Sequence, residues 1–112
     1  MSISATPSTL SLANRFLEEY AAKHNLAGEI LKDVPDAVFE VRSKSDRWVT
    51  VFARVVDWLD AGARIGILLD EPSGSASVYR SDELPQIFHN GDELVIPDVL
   101  PGFAVPVRRF FE

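Results

Sequence analysis

The chain has 112 residues, 46% of them hydrophobic and 25% charged, with no cysteine and a net charge of −6. That length supports one domain around one hydrophobic core, and the missing cysteine excludes a disulfide framework, a thiol nucleophile and a zinc ribbon. The acidic balance repels phosphates in general, and no apolar run approaches the ~18 residues of a membrane span.

Met1-Ser2-Ile3-Ser4 lacks the basic and apolar regions of a signal peptide, so a cytoplasmic protein without membrane contact is expected. Residues 1–8 read as a flexible N-terminus and 9–112 as the single domain. Leu10, Ala13, Phe16, Leu17, Tyr20 and Ala21 recur at steps of three and four, which predicts an amphipathic helix from about Thr9 to His24.

Asp36 to Arg42 alternates. Asp36, Val38, Glu40 and Arg42 fall on one side of a predicted strand and Ala37, Phe39 and Val41 on the other. Charged side chains on a strand face are costly to bury unless they line a cleft, bind a cation or pair with one another. The plainer alternative is an edge strand with a solvated outer face. Arg42, Lys44, Arg47 and Arg54 follow against one carboxylate, Asp46, a local basic patch that also reads as an ordinary solvated helix start.

Ser45 or Asp46 is placed to cap a second helix ending near Gly62. Trp48, Val49, Phe52, Val55, Val56 and Leu59 form its apolar stripe, and Arg47, Val51, Arg54 and Trp58 a neighbouring one. Both tryptophans are expected in the core rather than as stacking platforms, although Trp58 shares its stripe with Arg54. Arg64 to Asp70 is nearly continuous in apolar residues, as a central strand would be, and strand-helix-strand order implies a parallel pair. Glu71-Pro72-Ser73-Gly74 predicts a turn into an antiparallel strand, Ser75 to Arg80. A strand near Gln86 to His89, a turn at Asn90-Gly91 and Glu93 to Ile96 suggest a second hairpin. Pro101 and Pro106 exclude a regular central strand from the tail, which is expected to dock Phe103, Phe110 and Phe111 on the core.

His24 and His89 have no metal-ligand spacing and read as surface residues. No glycine-rich phosphate loop, serine nucleophile elbow or zinc motif occurs.

Phe39-Glu40-Val41-Arg42-Ser43, the helix carrying Arg54, Trp58 and Ala61-Gly62, the strand ending Leu68-Leu69-Asp70, Ser77-Val78-Tyr79-Arg80 and Leu100-Pro101-Gly102-Phe103 stand in unbroken order. Together they resemble the C-terminal half of the putative restriction endonuclease family sometimes called Uma-two, in the PD-(D/E)XK nuclease superfamily. The resemblance implies an α/β (α+β) fold, a single mixed β-sheet flanked by two helices, as a reduced restriction-endonuclease-like core. It also implies hydrolysis of DNA phosphodiesters with Mg²⁺ or Mn²⁺ held by an Asp and a Glu.

Carried onto this chain, the resemblance gives Glu40 the metal-binding Glu position and Arg42 the place of the following Lys. Arg54 on the helix then takes over the basic role, with Lys44 and Arg47 guiding DNA. Arg stays charged and cannot serve as a general base, but it can hold a phosphate. The family's first Asp has no obvious counterpart. Asp36 follows a proline, as in the family motif, but four residues of strand put its Cα about 13 Å from that of Glu40, against the ~4 to 5 Å expected between oxygens sharing a metal. Asp70, ending the predicted parallel neighbour, is the substitute, although an Asp there also suits the turn that follows. Glu71 and Asp92 are weaker substitutes. A metal-dependent endonuclease and a shortened, catalytically inactive relative serving as a binding or homodimerisation module are the two functional expectations.

Overall fold

The computed structural model of the protein describes residues 3–5 and 35–112; the predicted Thr9–His24 helix and His24 lie outside them. The five-stranded sheet runs in the order β1 (Ile3–Ala5), β2 (Ala37–Arg42), β3 (Ile65–Asp70), β4 (Ser75–Tyr79), β5 (Gln86–Phe88). The first three strands are parallel, and β4 and β5 are antiparallel to their neighbours. The one α-helix among the described residues, α1 (Trp48–Asp60), joins β2 to β3, and the sheet is mixed as expected.

Ile3–Ala5 pairs along β2 from Ile3–Ala37 to Ala5–Phe39. β2 thus lies between two neighbours, and the alternative of an edge strand with a solvated face does not hold. Every residue of β2 except Arg42 is buried.

The period-two assignment of faces is correct. Ala37, Phe39 and Val41 join Ile65, Ile67, Leu69, Ala76 and Val78 in the main core, which Leu94, Ile96, Leu100, Phe103, Val107 and Phe110 complete from the C-terminal side. Phe103 and Phe110 are buried and Phe111 partly so, as predicted for the tail. The opposite face lies under α1, where Val51 and Val55 pack on Leu68.

The buried face of the helix differs from the predicted stripe. Val51 and Val55 are its buried residues, whereas Trp48 and Val49 are exposed and Trp58 is half-buried. Almost every position from Trp48 to Leu59 outside the charged ones is apolar, so periodicity alone left the face ambiguous. The sheet decides it. Gly66 has no Cβ, and one built there would stand 2.6 Å from Val55 Cγ1. The hollow at Gly66 therefore seats Val55 and sets the rotation of α1. Nor do Ser45 or Asp46 cap the helix: its N-cap residue is Arg47, without a side-chain cap bond.

Asn90-Gly91 does not close a hairpin between β5 and its successor. β6 (Glu93–Val95) pairs instead with β7 (Ala104–Pro106) in a separate antiparallel ribbon, and a short 3₁₀ helix, Val107–Phe111, follows. The Asp92 carboxylate accepts the His89 backbone N–H at 2.8 Å and so closes the local turn. Pro106 occupies the end of a two-stranded ribbon, where a missing N–H is tolerated.

Candidate functional site

Strand register brings the charged residues together in rows on the face under α1. Glu40 is opposite Leu68 and Arg42 opposite Asp70 on the parallel pair; β4 continues these rows with Ser77 and Ser75. Glu40 and Asp70 are therefore diagonal neighbours on adjacent strands, with Cα atoms about 8 Å apart from the usual strand spacing and rise. Asp36 is at the opposite end of β2, where its carbonyl accepts the backbone N–H groups of Arg64 at 3.0 Å and Ile65 at 3.1 Å. The regular pairing from Ala37 to Arg42 contains no bulge to bring Asp36 toward Glu40.

Glu40 is 0% exposed, and neither of its carboxylate oxygens has a hydrogen-bond partner. Arg54 of α1 reaches over it, with Nε 3.6 Å from Oε2. A buried carboxylate without hydrogen bonds is costly, and the half-exposed Arg54 offsets only part of that cost. The other charges on this face are engaged. Arg42 Nε donates to Asp70 Oδ1 at 2.5 Å and Arg42 Nη1 to the Asp46 carbonyl at 3.1 Å. Ser73 Oγ donates to Asp70 Oδ2 at 2.6 Å. Asp70 thus ends its strand at the turn, tied to Ser73, while still facing the same side as Glu40.

Lys44 and Arg47 are exposed in the loop between β2 and α1. In that loop the Asp46 carboxylate accepts the Ser43 backbone N–H at 3.0 Å and its hydroxyl at 2.9 Å. These bonds, with the nearby Arg54 and Arg42 guanidiniums, hold the Asp46 carboxyl below its ordinary range.

A divalent cation of the Mg²⁺ type takes oxygen ligands and is commonly held by one or two carboxylates, with water and substrate phosphate completing its shell. The two orphaned oxygens of Glu40 fit such an ion. Asp70 adds a second carboxylate on the same face, with acceptor capacity beyond its two present bonds. Among the described residues no group of three or more acidic, histidine or cysteine side chains is gathered for a metal. The burial of Glu40 had no signal in the sequence, since alternation alone does not tell a covered charged face from an open one. The Arg42–Asp70 pair depends on strand register, which the sequence also leaves unspecified.

The model of the family described as Uma2, putative restriction endonuclease, matches residues 12–108. No curated protein matches the chain. A crystal structure of a putative nuclease belonging to DUF820 from Anabaena variabilis superposes with a TM-score of 0.62 at 20% identity over 70% of this chain. The chain spans 45% of that structure's length, so the likeness is one of fold over part of the larger protein.

Proposed function

The chain belongs to the Uma2 putative restriction endonuclease family, and on that premise we propose that it is a divalent-cation-dependent DNA nuclease unit in which Glu40 holds the ion. The observation that carries this reading is the buried Glu40 carboxylate, whose two oxygens have no hydrogen-bond partner. Asp70 is the second carboxylate, on the adjacent strand and the same face. A bound Mg²⁺ or Mn²⁺ would supply a water of lowered pKa and stabilise charge on the phosphate.

The protein's own residues then have distinct roles. Arg54, half-exposed above Glu40, holds a phosphate oxygen by charge-assisted hydrogen bonding. Arg42 is occupied by Asp70 and the Asp46 carbonyl, so it positions the carboxylate and the loop rather than meeting phosphate. Lys44 and Arg47 attract the DNA backbone.

The Arg42–Asp70 pair favours a second reading, a nuclease fold without hydrolysis that serves as a binding or homodimerisation module. One assay separates the two. Supercoiled plasmid is incubated with the pure protein and Mg²⁺ or Mn²⁺, beside the Glu40→Ala variant. Metal-dependent nicking lost in the variant supports the nuclease. No nicking by the intact protein at high concentration sinks it, and a dimer in solution mass measurements then favours the module. For the described residues, no helix is long and apolar enough to cross a membrane.

A further inference from the structure

We propose that Trp48 is a base-stacking platform, and that the surface around it takes an unpaired stretch of nucleic acid with its phosphates on Lys44 and Arg47. Trp48 is 45% exposed although it stacks on Phe52, with ring centroids 4.6 Å apart and planes 11° from parallel. Phe52 in turn meets Tyr79 edge-on at 5.2 Å and 64°. One face of the indole is thus covered by Phe52 and its position fixed by a ladder of rings, while 45% of the residue stays exposed. A base added there extends the ladder by one layer and requires little reordering of the side chain.

Charge selects the occupant. Arg47 adjoins Trp48 in sequence, and Lys44 stands in the same exposed loop. The chain as a whole carries −6, so this cluster runs against its overall field. The one carboxylate of the loop, Asp46, is turned back onto Ser43. The loop is also braced, because Arg42 connects Asp70 to the Asp46 carbonyl. Cations in the loop that leads into an exposed aromatic ring match a strand with separated phosphates and unstacked bases. Bases within a duplex are already stacked and offer no face.

The inference takes the class of polymer from the proposed nuclease function, but its test needs no hydrolysis. Wild type and variants in EDTA are titrated into a dye-labelled single-stranded oligothymidylate and a labelled duplex of equal length, following label anisotropy for affinity and, in chains that keep Trp48, tryptophan fluorescence. Saturable quenching is expected with the single strand. Trp48→Ala should weaken binding on the order of tenfold, Trp48→Phe should recover most of it, and Trp58→Phe should leave the quenching in place. Lys44→Ala and Arg47→Ala should each lower the salt dependence of binding. Equal affinity of Trp48→Ala and wild type overturns the inference, as does duplex bound as tightly as single strand. Self-association with no binding of either oligonucleotide also overturns it, and assigns Trp48 and the exposed Val49 to a protein contact. Nicking that depends on Glu40 but not on Trp48 leaves the nuclease standing and removes the platform.

Discussion

Arg54 and Glu40 form an ion pair across the gap between helix and sheet, one partner half in solvent and the other fully enclosed. The asymmetry makes them separable. Arg54→Ala strips the enclosed carboxylate of its charge partner and should lower stability by about 1 kcal/mol, a value reduced by solvent screening of the arginine. Glu40→Gln removes the charge and should leave the urea midpoint unchanged or raised while abolishing metal-dependent nicking. In the Glu40→Gln background, Arg54→Ala should cost almost nothing. A loss of stability in Glu40→Gln as large as that in Arg54→Ala would show that the carboxylate is held for structure.

Arg42 keeps Asp70 occupied, and Asp70 faces the same side as Glu40. Arg42→Ala should therefore release a second carboxylate toward the first. The variant should lose about 1–3 kcal/mol of stability in metal-free buffer and gain more thermal stabilisation from Mn²⁺ than the wild type, through binding to the folded state. Thermal melts with and without Mn²⁺ check both, and an unchanged Mn²⁺ response would remove Asp70 from the ligand set.

The seat of α1 on the sheet can be probed at Gly66. A methyl group there would meet Val55 at 2.6 Å, so Gly66→Ala should destabilise by about 1–3 kcal/mol through overpacking. Val55→Ala added to it should recover part of that loss. Strict additivity in chemical denaturation would place the helix elsewhere.

Asp46 gives a pH signature. Its carboxyl is held below the ordinary 3.8 chiefly by the Ser43 backbone N–H and hydroxyl. A folded-state pKa lower than the unfolded one adds stability above the unfolded value, and that stability fades as pH falls through the folded one. Asp46→Ala should thus be less stable than wild type at neutral pH and converge with it in the acid range below about 4, near the unfolded carboxyl value. Urea midpoints from neutral pH to pH 2 measure the convergence.

The strands β2 to β5, the crossover helix and the docking of Phe103 and Phe110 are legible in the sequence, because alternation, an apolar run and turn residues are local signals. What depends on partners is not. The face of α1 was fixed by the hollow at Gly66, a property of another element. β6 found β7 rather than β5, since Asn90-Gly91 marks a turn without saying what pairs after it. Glu40 was singled out from its pattern and family resemblance, yet its enclosure required the helix above it, and the diversion of Arg42 to Asp70 required the register of two strands.

β1 has a consequence for the order of assembly. Its residues leave the ribosome well before their partners, Ala37 to Phe39. Closing so long a loop is entropically expensive for three residues of pairing. The local units, β2–α1–β3 and the β3–β4 hairpin, should form before β1 joins, leaving the open side of β2 as a transient template for intermolecular pairing. In native-state hydrogen exchange, amides at the β1–β2 seam should open well before those between β3 and β4.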